Sequence, residues 1–162
     1  MHEREEGPLE IVDFLPSYSK AFKDLNEEWI STHFKMEAAD RKALENPKGN
    51  ILDKGGRILV ALYNGKPVGV CALLKMDDNK YDFELAKMAI SPAMRGKGIG
   101  WALGIATIKL ARSLGARKVY LESNTILAPA INLYKKLGFK EVFGRPSPYE
   151  RCNIQMELVS EN

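Results

Sequence analysis

The residues best suited to chemistry lie in Met88-Ala89-Ile90-Ser91-Pro92-Ala93-Met94-Arg95-Gly96-Lys97-Gly98-Ile99-Gly100. A strand pattern runs into a loop with three glycines at alternate positions, and the loop runs into a helix pattern. Glycine permits backbone angles that other residues avoid and lets a ligand approach the main chain closely. The first N–H groups of a helix have no partner inside it and carry the positive end of its dipole. Such a turn binds anions. Arg95 and Lys97 add mobile positive charge on the rim, and a pyrophosphate is the natural guest.

Three phosphate loops compete for this pattern. A Walker loop needs Ser or Thr after Gly-Lys, and Gly96-Lys97 is followed by Gly98. A dinucleotide fingerprint needs G-x-G-x-x-G, but its third position falls on Trp101 or Leu103. Glu122, about 20 residues on at the end of the next strand pattern, still suits a ribose-binding acid. A dinucleotide-binding oxidoreductase therefore stays open as an alternative. The third form, R-x-x-G-x-G, is met by Arg95, Gly98 and Gly100. A glycine-rich turn that only caps a helix would look the same if it stood alone.

Several elements must position this loop. Leu9 to Phe14 reads as a strand and Pro16-Ser17 opens a helix, with Phe22, Leu25, Trp29 and Ile30 at helical spacing. Met36 to Leu44 is a second helix. Arg57 to Tyr63 and Pro67 to Lys75 are strands joined by Asn64-Gly65, a strong hairpin signal. Tyr81 to Ile90 completes an antiparallel meander. A helix follows over Gly98 to Leu114, closed by Gly115. Then come a strand (Lys118 to Glu122), a short helix (Pro129 to Leu137) and two closing strands, Phe139 to Phe143 and Cys152 to Leu158. This order predicts one domain over 1–162, an α/β protein with a mixed sheet and helices on both faces.

Composition sets the bounds. The chain has 162 residues, 45% of them hydrophobic and 28% charged, which is a globular balance. A net charge of +3 is too small and too dispersed to argue for nucleic acid. No apolar run approaches the roughly 20 residues of a membrane span. Met1-His2-Glu3-Arg4-Glu5-Glu6 leads into no apolar segment, so a secretory signal is not expected. Cys71 and Cys152 lack metal-ligand spacing, so no metal is expected, and a reducing cytoplasm fits them.

A second motif changes the weight of the first. Ser123-Asn124 is followed by Ala130-Ile131-Asn132-Leu133-Tyr134-Lys135-Lys136-Leu137-Gly138-Phe139. Together with Ala89 to Gly100, in this order and spacing, the chain resembles the GCN5-related N-acetyltransferase superfamily. The match is best from about Tyr81 to Phe143, and the tail Ser147 to Met156 also resembles the last strand of small bacterial members. The resemblance implies a mostly antiparallel sheet of about seven strands, with the fourth bulged and splayed from the fifth. It implies an acetyl-CoA-dependent N-acetyltransferase in which a primary amine attacks the thioester directly in a ternary complex. A non-catalytic CoA-binding sensor on the same fold is the alternative.

By match, Arg95, Gly96, Lys97, Gly98, Ile99 and Gly100 would wrap the pyrophosphate, mostly through backbone N–H groups. Met88, Ala89 and Ile90 would pair with the pantetheine arm, an N–H of this stretch facing the thioester oxygen. Asn124 would touch the same arm. Tyr134 would stand near the thioester sulfur, where a phenol with pKa about 10 can give the leaving thiolate a proton or hydrogen bond. Its other reading is a helix core residue beside Leu133 and Leu137.

Glu84 is the candidate base. On a regular strand Glu84, Ala86, Met88 and Ile90 share one face, and partial burial would raise its pKa to a useful range. Glu122 is the second candidate. Trp29, Phe34, Glu122, Tyr149 and Arg151 are candidates for the acceptor pocket. Lys135, Lys136 and Lys140 form a basic cluster, a solvated face or an aid to the CoA phosphates. Cys71 and Cys152 read as packing residues. The expected partner is a small-molecule or peptide amine. Neither nucleic acid nor membrane is expected, and a homodimer through the sheets accords with the family.

Overall fold

The structure is a computed structural model that describes residues 9–160. The polar stretch Met1 to Glu6 lies outside the described residues. Strand β1 (Leu9–Asp13) leads through a 3-10 turn at Pro16–Tyr18 into α1 (Ser19–His33), and α2 (Ala38–Glu45) follows. Phe22, Asn26 and Ile30 recur every four residues and form the buried stripe of α1. Strands β2 (Arg57–Tyr63) and β3 (Lys66–Lys75) form a hairpin. Asn64 and Gly65 both have positive φ, 54° and 79°, as a primed two-residue turn demands.

Strand β4 (Phe83–Ile90) completes the meander. It starts two residues later than the sequence suggests. Tyr81 sits just before it, buried and stacked on Tyr120 with ring centres 5.1 Å apart. Helix α3 (Ile99–Ser113), β5 (Lys118–Ser123) and α4 (Ala128–Leu137) follow, then β6 (Lys140–Val142) and β7 (Ile154–Val159). The last two strands are shorter than expected, and Cys152 and Asn153 fall in the loop before β7.

The seven strands form one sheet in the order β1-β2-β3-β4-β5-β7-β6. All pairs are antiparallel except β4 with β5. The inner strands bury both faces and read as continuous apolar runs, such as Ile58-Leu59-Val60-Ala61-Leu62. Leu59, Cys71, Leu73, Leu85, Leu103, Leu121 and Met156 build the core under α3 and α4. Phe22, Ile30, Leu44, Ile58, Val60 and Val70 build the core under α1 and α2. Helices α3 and α4 cross closely because Gly104 has no side chain: a Cβ there would lie 2.7 Å from Leu137 Cδ1.

A bulge interrupts β4. Ala89 faces Val70 and Ala86 faces Ala72, so Lys87 and Met88 together face Cys71. Lys87 sits at φ 55°, a left-handed conformation rare for a long side chain. The bulge corrects the expectation that Glu84, Ala86, Met88 and Ile90 share one face. Phe83 and Leu85 point to the α3 side before it, and Met88 and Ile90 point there after it. Glu84 and Ala86 therefore look toward the α1–α2 side, as does Ala89.

Candidate active site

The divergence of two strands opens a cleft-like gap at the centre of the sheet. Strands β4 and β5 pair only at Phe83–Val119 and Glu84–Tyr120, and then diverge. The main chain of β4 beyond Glu84 is thus free along its β5 side. The Ser91 N–H donates to the Val68 carbonyl at 2.8 Å, so strand alternation turns the amides of Ile90 and Met88 away from β3, into the gap. An extended chain entering there would find main-chain donors in the manner of an added strand.

The glycine turn closes the end of this cleft. Gly96 and Gly98 have φ of 79° and 82°, and Gly98 is the residue that caps α3. The amides of Gly96 through Trp101 have no acceptor among the described residues, whereas Ala102 N–H donates to the Gly98 carbonyl. Six consecutive free amides at a helix start make a concentrated anion seat. A Cβ on Gly96 or Gly98 would meet nothing within 4 Å, so backbone angle rather than space demands glycine. Gly98→Ala is expected to cost about 1–2 kcal/mol and to lower Tm by a few degrees, which thermal denaturation measures; an unchanged Tm would mean the turn relaxes without strain.

Two residues matched to coenzyme binding, Arg95 of this turn and Asn124, are occupied by the protein itself. Arg95 was expected to carry mobile charge. Its Nε donates to the Ile90 carbonyl at 3.1 Å, its Nη2 pairs with Glu28 Oε1, and its guanidinium lies 5.0 Å from the Trp29 ring centre. It pins the turn to α1. Asn124 is likewise engaged: Nδ2 donates to the Arg151 carbonyl at 2.7 Å and Oδ1 accepts from Ile126 N–H at 2.9 Å. Lys97 is exposed, and Ile99 is buried in the core behind the turn.

The α1–α2 face of the cleft holds the titratable groups. Glu84 stands on β4 at the point of divergence, with no hydrogen bond or ion pair from the described residues. Burial pushes its carboxyl up to about 7, the charge of Glu122 adds to this, and Lys87 and Arg145 pull the other way. Glu122, on β5, accepts from Tyr120 Oη at 2.8 Å and from Ser147 Oγ at 2.6 Å. One carboxylate is held in place and the other is left free.

The loop over 143–153 roofs this face, and its pins were not foreseen. Arg151 forms a two-pronged pair with Asp40 at 2.8 and 2.7 Å, and Lys87 Nζ reaches Asp40 at 2.6 Å and Tyr149 Oη at 2.9 Å. Asp40 is fully buried, and the Lys87 side chain is 6% exposed. Burial alone would raise the Asp40 carboxyl, but Arg151 and Lys87 overcome it and hold the group at about 2. Arg145 lies over the Tyr81 and Tyr120 rings and pairs with Asp78. A signal for Asp40 was present: it stands four residues before Leu44, on the inward stripe of α2, where an acid needs a buried partner.

The remaining candidates separate. Trp29 and Phe34 pack against the α1–α2 core, Trp29 also meeting His33 edge-on at 4.7 Å. Tyr149 and Arg151 belong to the roof. Tyr134 lies on the opposite side of the sheet, on the inner face of α4, edge-on to Phe139 with centres 6.2 Å apart. Its hydroxyl has no hydrogen-bond partner among the described residues. Burial drives the phenol well above its ordinary value, so it stays protonated. Cys71 is fully buried, and burial pushes its thiol up to about 12. Cys152 is half-buried in the roof loop.

Comparisons with known proteins give the family and the fold. The model of the acetyltransferase (GNAT) family matches residues 18–139. An uncharacterized N-acetyltransferase of Methanocaldococcus jannaschii is 30% identical over 142 residues, 82% of this chain and 57% of its own. Another, from Escherichia coli, is 37% identical over 84 residues, 51% of this chain and 50% of its own. The chain thus spans about half the length of these curated relatives. In fold it is similar to a GNAT-family acetyltransferase of Staphylococcus aureus, with TM-score 0.83 and 22% identity over 94% of this chain and 99% of the other. With the family model matched over most of its length, this chain belongs to the acetyltransferase (GNAT) family.

Proposed function

We propose that this chain is one acetyltransferase domain that moves the acetyl group of acetyl-CoA to a primary amine by direct attack in a ternary complex. The observation that carries the reading is Glu84: a half-buried side chain with no hydrogen-bond or ion-pair partner among the described residues, its carboxyl pushed up to about 7, at the point where β4 leaves β5. The coenzyme fits the rest of the cleft. Six free amides suit its pyrophosphate, and the turned-out amides of Met88 and Ile90 suit the extended pantetheine arm. Bound acetyl-CoA supplies the activated acetyl thioester.

The chain's own residues perform the proton work. Glu84 takes the proton that the amine nitrogen gives up as it bonds to the acetyl carbon. A group near pKa 7 is matched to that task at neutral pH. Glu122, fixed by Tyr120 and Ser147, lies beside it and favours an acceptor that arrives as a cation. The Tyr134 hydroxyl gives the departing sulfur a proton or hydrogen bond as its bond to the acetyl carbon breaks. Trp29 and Phe34 shape the α1–α2 wall of the acceptor side. Tyr149 and Arg151 shape its roof, and Asn124 steadies that roof through the Arg151 carbonyl.

Calorimetry with CoA and an acetyl-transfer screen across amine classes, read by free thiol release, test the reading. Saturable binding and transfer to at least one amine are expected. No binding at millimolar CoA ends the proposal, and binding without transfer to any amine makes the chain a CoA-binding module. Tyr134→Phe is expected to lower kcat about 10- to 100-fold while the Kd for CoA changes less than about twofold; unchanged turnover would return Tyr134 to a packing role.

A further inference from the structure

We propose that Trp101 and Lys136 form a seat for the adenosine 3′-phosphate end of the coenzyme, the indole stacking on the purine and the ammonium meeting the phosphate. The inference rests on the coenzyme reading above. It assigns residues outside the glycine turn and explains an aromatic that the core does not use.

Trp101 is 43% exposed, although it lies in the first turn of a helix whose neighbours Ile99 and Leu103 are buried. Helical side chains lean back toward the amino terminus, so the indole covers the turn that precedes it. That turn holds the free amides, and the Trp101 amide is the last of them. A nucleotide whose diphosphate sits on those amides must place its base close by, since only a ribose separates the two. The ring is thus within reach of the base by construction.

Lys136 provides the second part. Its Nζ lies 5.7 Å from the Trp101 ring centre. It makes no ion pair with a carboxylate among the described residues, unlike Arg95, Arg145 and Arg151. The two side chains come from different helices, and the α3–α4 crossing fixes their spacing. Gly100 and Gly104 let Leu133 and Leu137 of α4 lie close against α3, Leu137 Cδ1 resting 2.7 Å from where a Cβ on Gly104 would stand. An exposed indole with an ammonium over its ring, paired with no carboxylate among the described residues, matches a purine bearing a phosphate once the flexible lysine swings to the phosphate. Base–aromatic stacking of this kind tolerates solvent exposure, and the cation gains from the ring as well.

The test uses the two tryptophans of the chain, Trp29 and Trp101. In a Trp29→Phe background, CoA is expected to quench the Trp101 fluorescence saturably, whereas 4′-phosphopantetheine leaves it unchanged. By calorimetry, Trp101→Ala should weaken CoA about tenfold, the scale of one stacked base, with Trp101→Phe recovering most of the loss. Neither change should alter the Kd for 4′-phosphopantetheine. Lys136→Ala should weaken CoA several-fold but leave 3′-dephospho-CoA unaffected. CoA that binds without quenching, at the same Kd in Trp101→Ala, overturns the seat while the coenzyme reading stands. Wild-type protein that binds neither CoA nor 4′-phosphopantetheine overturns both.

Discussion

Glu84→Gln is expected to lower kcat by about 100-fold or more at pH 7 and to abolish the rise of rate with pH. The wild-type rate should climb through about pH 7, because the base works only when ionised and burial, aided by Glu122, raises its pKa to that value. Glutamine keeps the shape and cannot accept the proton. A pH–rate profile by thiol release reads both effects. A variant that retains the wild-type profile would show that the amine loses its proton elsewhere, with Glu122→Gln as the next variant to measure.

The same shift has a signature in stability. The folded pKa of Glu84 lies above the ordinary carboxyl value. Its contribution is therefore fully present below about pH 4.5 and is lost as pH rises through about 7. Glu84→Gln removes this dependence, so the variant should gain on the wild type between pH 4.5 and 8 by about 3 kcal/mol. Denaturant midpoints at the two pH values measure the gain. Lower activity with higher stability at pH 8 would mark a strained functional carboxylate rather than a structural one.

Asp40→Ala carries the largest expected loss of stability. It leaves the buried Lys87 ammonium without a carboxylate and Arg151 with Glu37 alone, and an uncompensated buried charge costs about 3–5 kcal/mol. For a chain of this size Tm should fall by roughly 10 °C. Hydrogen exchange should rise across 143–153, because Arg151 loses both oxygens that tie the roof to α2 and keeps only Glu37 at 3.5 Å. The pH dependence has the opposite sign to that of Glu84. Arg151 and Lys87 overcome the cost of burial and depress Asp40 to about 2, so its contribution is present above about pH 4 and is lost as pH falls toward 2. Asp40→Ala should therefore flatten the acid limb of the wild-type stability curve. An undiminished Tm would mean that water enters and solvates both cations.

What could be read in advance was local. Gly98 needs a left-handed angle, Asn64-Gly65 needs a primed turn, and the buried stripe of α1 repeats every four residues; each leaves a mark within a few positions. The anion seat was legible for the same reason, since a helix start exposes its own amides whatever surrounds it. The faces of β4 were not legible. Its bulge places Lys87 at φ 55°, and nothing in Leu85-Ala86-Lys87-Met88 forces that angle. The reward lies 47 residues away in Asp40 and 62 away in Tyr149.

The use of each polar side chain also waited on the fold. Arg95 and Asn124 match a ligand-binding pattern by position, yet Glu28 and the Arg151 carbonyl claim their polar atoms. Glu84 and Glu122 look alike as strand acids, yet Ser147 and Tyr120 reach only the second. The amino-acid sequence alone determined the strand and helix order, the glycine turn and the family, because these follow from backbone angles and short-range periodicity. Tertiary structure alone decided which carboxylate is left unpaired and which cations are buried, because desolvation and pairing depend on groups that only folding brings within hydrogen-bond distance.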